Sequence, residues 1–274
     1  MNTKTSFKEL NLNNAFLFAL ALSDPELCRI ILELIIGKPL GPIKVETEKS
    51  IMFSSDFRSI RLDVYASDQS HVDYDLEMQN EGDKDSLPKR SRLYQAEMDV
   101  KSLNPGDDFV CLGSSYIIFI CTFDPFTEGR HIYTFQNTCL ESPGLLLGDE
   151  ATKLFLNTKG TIDDIDEEMK EFLTYIENTT DTFARQAKSS LVKKLHQRVI
   201  DVKQSKEMEA EYMTLLQRDR ENIEQGIEQG IEQGERKMAA LSELLLDQKR
   251  TDDLKRAIRD AAYREQLYKQ FNIL

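Results

Sequence analysis

The sequence predicts an α/β protein: a mixed β-sheet flanked by helices, followed by an all-helical C-terminal extension. Three observations carry that expectation. Residues 60–79 alternate apolar and polar side chains on both sides of a Ser-Asp-Gln-Ser turn, the pattern of a β-hairpin. Residues 115–123, Ser-Tyr-Ile-Ile-Phe-Ile-Cys-Thr-Phe, form an almost unbroken β-branched and aromatic run, the pattern of a strand covered on both faces. After about residue 160 strand signals fade and helical periodicity takes over.

The elements follow in order. Residues 11–22 are strongly apolar, with Phe16, Leu17, Phe18, Leu20 and Leu22. Ser23-Asp24-Pro25-Glu26 reads as a helix start, with Ser23 or Asp24 as cap and proline just inside. The helix from Glu26 to Ile36 stops at Gly37, and its apolar positions nearly encircle it, so it is expected to be buried. Glu33 in its middle has two readings: a rim carboxylate that reaches water, or one aimed at the same site as Asp63. Ile43 to Phe53 reads as a first strand, the hairpin follows, and Asn80 to Leu87 is an acidic loop. From Pro88 a helix runs to about Leu103. Its first turns carry Lys89, Arg90 and Arg92, where positive charge opposes the helix dipole. A negative partner is therefore required, either Asp83 and Asp85 or a bound phosphate. Asn104-Pro105-Gly106-Asp107 breaks the helix, and the strand from Ser115 ends at Asp124-Pro125-Phe126. His131–Gln136 and Lys153–Asn157 read as further strands.

Residues 1–160 thus form the expected core, and 161–220 a helical region packing on it or extending it. Helices are expected over 161–178 and from Thr182 to about Arg220. The second carries Arg185, Lys188, Lys193, Lys194, Arg198, Lys203 and Lys206, either a solvated face or a phosphate-contacting one. Residues 221–274 open with Ile-Glu-Gln-Gly repeated three times. Period four on a helix sets Ile223, Ile227 and Ile231 in one stripe and Gly226, Gly230 and Gly234 in another. Each interior glycine costs roughly 1 kcal/mol relative to alanine. The repeat is therefore either a frayed linker helix or a seam for a homo-oligomer. Two amphipathic helices are expected in the tail from Arg236 to Leu274.

The bulk properties narrow the function classes. The net charge of −13 argues against a generic nucleic-acid coat, but leaves room for an enzyme with a local basic cleft. Cys28, Cys111, Cys121 and Cys139 have no CxxC spacing, and the N-terminus lacks signal-peptide architecture. Together these point to reduced thiols in a cytoplasmic protein. The longest apolar run, Leu27 to Ile36, contains Arg29 and Glu33 and is far shorter than the ~20 residues that span a bilayer, so no membrane partner is expected. His71, His131 and His196 lack paired-ligand spacing, so zinc is not expected.

In the hairpin, one face is apolar and is expected in the core; the other carries Asp63, Asp73, Asp75, Glu77 and Gln79. A turn centred near Gln69 or Ser70 sets Asp63 opposite Glu77, give or take a residue, and Gln79 shares the face of Glu77. Opposed like charges destabilise a sheet, and a divalent cation bridging them would reverse that sign. On the residues alone the polar face is either simply solvated or a cation site.

The hairpin also resembles the PD-(D/E)xK nuclease superfamily, specifically the bacterial recombination-promoting nuclease family, whose members are also labelled transposases. The resemblance is carried by Arg61-Leu-Asp-Val-Tyr65, Glu77-Met-Gln79, Arg90-Ser-Arg-Leu-Tyr94, Tyr116-Ile-Ile-Phe-Ile120 and Phe123-Asp-Pro-Phe126, with the glycine-spaced helix and the tail from Asp253. It implies a restriction-endonuclease-like core that hydrolyses DNA phosphodiesters with a divalent cation, Mg2+ first and Mn2+ or Ca2+ as alternatives. Asp63, Glu77 and the Met78 carbonyl would hold the metal, with Glu33 a possible addition. Gln79 stands where much of the superfamily has a lysine. Glutamine can orient a water but carries no charge. The missing charge is expected from Arg90 or Arg92, with Lys89 beside them, as DNA-phosphate contacts. The alternative is a catalytically weakened nuclease fold that serves as a DNA-binding or oligomeric interaction module.

Overall fold

The structure, a computed structural model, describes residues 6–51, 60–80 and 84–273. The expected strand end at Phe53 and the loop acid Asp83 lie outside them. Six strands make one mixed sheet: β1 (Ile43–Ile51), β2 (Ile60–Asp68), β3 (Asp73–Gln79), β4 (Ser115–Cys121), β5 (Ile132–Phe135) and β6 (Ala151–Asn157). Their order is β1-β2-β3-β4-β6-β5. The first three form an antiparallel meander, β3–β4 and β4–β6 are parallel, and β5 returns antiparallel on β6. The parallel step from β3 to β4 needs a crossover, and α3 (Leu87–Ser102) provides it.

The chain divides into two compact units, Met1–Glu209 and Ala210–Leu274. In the first, α3 covers one face of the sheet: Leu87, Tyr94 and Met98 pack on Ile117, Phe119 and Cys121 of β4 and Phe155 of β6. The opposite face meets α1 (Ala15–Leu22) and α2 (Pro25–Ile36), with α6 (Ser190–Gln204) packed on both helices. The helix ends follow their sequence signals. Asp24 caps α2 by accepting from the Leu27 N–H at 2.8 Å, Pro25 opens it, and Gly37 closes it in the left-handed region at φ 76°.

Three expectations change. First, the polar face of the hairpin is not solvated. Because α3 lies over it, Asp73, Asp75 and Glu77 are only 8%, 0% and 3% exposed. Second, the helical region subdivides into α4 (Glu167–Glu177), α5 (Asp181–Gln186) and α6, and belongs with the first unit as far as residue 209. Its basic run is partly structural. Arg198 Nη2 donates to the Leu20 carbonyl and to Ser23 Oγ at the end of α1, and Lys203 Nζ donates to the Leu10 carbonyl at 2.6 Å. Third, the glycine repeat is helical throughout, inside the 42-residue α7 (Lys206–Asp247). A Cβ built on Gly226, Gly230 or Gly234 would meet nothing within 4 Å. The tail is not two helices but the end of α7 followed by α8 (Thr251–Arg259) and α9 (Ala261–Gln270), split at Asp260, which caps α9. Leu241, Leu245, Ala257 and Leu267 form the small core of this second unit. Among the described residues, no helix is long and apolar enough to cross a membrane.

Candidate functional site

The β2–β3 register pairs Val64 with Leu76, so one step further Asp63 stands opposite Glu77. There the ladder is replaced by side chains. The Asp63 N–H donates to Glu77 Oε1 at 2.9 Å, and the Met78 N–H donates to Asp63 Oδ2 at 3.1 Å. Each acid is thus fixed by the backbone of the other's neighbourhood, and the two strands part at this point. Part of each carboxylate is committed to that crossing, which holds the pair in one geometry.

Gln79 lies two residues along the same face. Its Oε1 accepts from Arg90 Nη1 at 2.6 Å, and its Nε2 donates to the Asn80 carbonyl. The same guanidinium reaches Glu77 Oε2 from Nη2 at 3.4 Å. A cation from the next helix therefore sits beside Gln79. Arg90 is held there by its own helix: Tyr94, four residues on, accepts from Nη2 at 3.0 Å and Nε at 3.3 Å. The guanidinium also lies 5.4 Å from the ring centres of both Tyr94 and Phe119. Among the described residues, the negative partner of Arg90 is thus Glu77. Lys89 and Arg92 are exposed on α3 and make no ion pair among the described residues. Asp85 is exposed in the short 3-10 turn before α3.

The structure separates the remaining acids of the strand. Asp73 is satisfied by the Tyr65 hydroxyl at 2.6 Å and by Ser102 Oγ at 2.5 Å, so it braces β2 against the end of α3. Asp75 is fully buried and neither carboxyl oxygen has a partner at ordinary hydrogen-bond distance, the Glu77 carboxyl lying just close enough to favour its charged form. Burial pushes its pKa well above the usual carboxylate range; the Asp63 charge adds to this, and Glu77 and Arg90 oppose it. Glu77 moves in the same direction, first from burial and then from the charges of Asp75 and Asp63, against the Asp63 N–H and Arg90. Three carboxyls and one guanidinium form one electrostatic unit.

The donor chemistry suits an oxygen-preferring divalent cation: the Asp63 and Glu77 carboxylates, the Met78 carbonyl, and an orphaned buried carboxyl beside them. Among the described residues, however, no three His, Cys, Asp or Glu side chains converge as a metal cage. Glu33 is not brought to this cluster. Its Oε1 accepts from Arg29 Nη1 at 2.6 Å and from the Leu40 N–H at 2.7 Å, so it ties the end of α2 to the chain entering β1.

Tyr94 and Asp75 were not singled out as site residues by the sequence. Tyr94 had a signal, the Arg90 spacing of four on one helix face. Asp75 shares a face with Glu77, but only the covering of that face by α3 turns it from a solvated acid into a buried, unpartnered one.

Comparison with known proteins gives no match to a family model, a curated protein or a solved structure.

Proposed function

We propose that the chain is a metal-dependent endonuclease that hydrolyses DNA phosphodiesters, built on a restriction-endonuclease-like core and linked to recombination or mobile-element biology. One observation carries the reading: two opposed acids, Asp63 and Glu77, are locked across parted strands, and the Arg90 guanidinium spans Glu77 and Gln79 beside them. A sheet gains nothing from such an arrangement as structure, since opposed like charges destabilise it. A hydrolytic site for a phosphodiester needs both parts, acids for a cation and a fixed positive group for the phosphate.

Asp63, Glu77 and the Met78 carbonyl would hold the cation. When bound, such an ion lowers the pKa of a coordinated water and neutralises charge on the phosphate. Arg90 offers the planar fork that suits a phosphate, and Tyr94 keeps it in place. Arg92 and Lys89, exposed on the same helix, extend that positive surface to neighbouring phosphates. Gln79 holds Arg90 through Oε1, which makes it a positioning residue for that charge.

A second reading has its own support. Because Arg90 already neutralises Glu77 in this arrangement, the site could persist as a weakened nuclease fold that binds DNA without cutting it. Plasmid DNA incubated with Mg2+ or Mn2+ separates the two. Nicking by the wild type, abolished by Asp63→Ala and Glu77→Gln, supports the enzyme. Binding without nicking supports the second reading.

The same proposal extends to self-association through the C-terminal helices. Ile223, Ile227 and Ile231 are 62%, 58% and 58% exposed along α7, an apolar stripe that a second copy would cover. Ile227→Glu should then lower the mass measured in solution, and an unchanged mass would remove this extension.

A further inference from the structure

The α3 face carries a second feature besides the acid cluster. A cleft of about 420 Å3 opens between the start of α3 and the strands β5 and β6. That is within the usual range for a small-ligand pocket. Its floor is Phe155, its walls are Phe126 and Phe135, and Arg92 and Lys153 stand at its edge.

The aromatic lining is rigid and open at once. Phe126 meets Phe155 edge-on at 5.1 Å, Phe135 meets Phe155 edge-on at 5.7 Å, and Phe126 and Phe135 are 5.0 Å apart. Phe155 itself is buried, yet Phe135, the last residue of β5, is 44% exposed. An aromatic ring held by two others loses little entropy when a flat ligand stacks on it. Arg92 and Lys153 form no ion pair among the described residues, Lys153 acting only at longer range on Asp99, in a chain with a net charge of −13. Two such cations beside an open aromatic wall suit a ligand with a π-face and a negative group.

The position ties the cleft to the acids. Glu77 on β3 pairs with Phe119 on β4, and Phe119 pairs with Phe155 on β6. The acid and the cleft floor therefore lie on one rung of the sheet, two strand spacings apart, about 10 Å. Phe119 stacks on Phe155 at 5.4 Å and also carries Arg90, so the rung is continuous from the guanidinium to the cleft.

We infer that the cleft is a subsite for one unpaired nucleotide of a DNA strand whose backbone crosses Arg90. The base stacks on Phe135 and Phe126, and Arg92 and Lys153 take its phosphate. A duplex cannot offer an unstacked base to this wall, so the substrate class becomes single-stranded DNA or a duplex with an unpaired position. The inference rests on the nuclease reading for its DNA and deepens it.

The chain contains no tryptophan, so Phe135→Trp places a unique fluorescent reporter in the wall. The probes are thymidine monophosphate, a single-stranded oligothymidylate and a duplex of equal length, all in EDTA so that nothing is cut. The expected result is quenching of the Phe135→Trp variant's indole fluorescence by the mononucleotide and the single strand. With the single strand, Phe135→Ala should lose about tenfold or more in affinity, as expected for one base–aromatic stack. The duplex should lose little. If the single strand binds but Phe135→Ala binds it equally and the reporter is not quenched, the subsite is overturned and the nuclease reading stands. If the mononucleotide quenches but neither plasmid nor single-stranded DNA is cut with any cation, the subsite stands and the nuclease reading fails. Equal loss for duplex and single strand would also overturn the inference, because it would mark Phe135 as a fold residue.

Discussion

Replacing Asp75 by asparagine should stabilise the protein, and the size of the gain should grow with pH. Asp75 is fully buried with both oxygens unpartnered, beside two further carboxyls. Leaving a buried polar group unsatisfied costs about 1–3 kcal/mol, and more when it is charged. Asparagine is a buried polar group as well but carries no charge, so the gain is the charged part of that cost, about 2 kcal/mol where Asp75 would be ionised. For a unit of roughly 200 residues that corresponds to about 4–8 °C in melting temperature. The pH dependence has a definite sign. Burial raises the folded pKa of both Asp75 and Glu77 above their unfolded values of 3.8 and 4.5. Between the unfolded and the folded value the native state holds more protons than the unfolded chain. Wild-type stability therefore falls as pH rises through that window and stays low above it. Asp75→Asn removes one such group and relieves Glu77 of a neighbouring charge, so its profile should be flatter. Thermal unfolding of both proteins at about pH 5 and about pH 8 without divalent cation, both above the unfolded values, measures this. A variant that is less stable than wild type at the higher pH, or whose advantage does not grow between the two, would refute the reasoning.

Other perturbations test neighbouring parts of the account. Arg90→Met leaves Glu77 buried without its cation and should destabilise the first unit by about 2 kcal/mol, read from the urea midpoint; an unchanged midpoint would mean the pairing contributes nothing. Converting Gly226, Gly230 and Gly234 together to alanine meets open space at each position and should raise the helical stability of α7 by about 1 kcal/mol per site, seen by circular dichroism on heating. A loss instead would mean the bare stripe is packed against a partner in solution. Burial pushes the Cys28 and Cys121 thiols up to about 12, whereas Cys111 is exposed, so a thiol reagent at about pH 8 should modify Cys111 at once and the buried pair only on unfolding. Rapid labelling of Cys28 or Cys121 in the native protein would contradict the packing described for α2 and β4.

The local elements were legible because their signals are local. The Asp24-Pro25 start and Gly37 stop of α2, the unbroken apolar run of β4 and the period-two hairpin each name one conformation. The pairing of Asp63 with Glu77 followed from counting outward from the turn. Layering was not legible. The carboxylate face of the hairpin reads as amphipathic, yet β3 lies centrally in the sheet, because the chain crosses back over that face with α3 before laying down β4 in parallel. That tertiary fact buries Asp75 and Glu77 and sends Arg90 to Gln79. Glu33 could not be aimed from helix phase, and its partners Arg29 and the Leu40 N–H are set by how α2 turns into β1. The glycine repeat was legible as a helix. Propensity favours fraying, but 42 residues of continuous helix hold it from both sides.

The central claim is that Asp63 and Glu77 form a cation-dependent site beside Arg90. Crystals soaked in Mn2+ and measured at the manganese absorption edge test it most directly. The account predicts an anomalous peak within coordination distance of both carboxylates, lost in Asp63→Asn. A Mn2+-saturated crystal with no peak between them, and Arg90 still bound to Glu77, would contradict it.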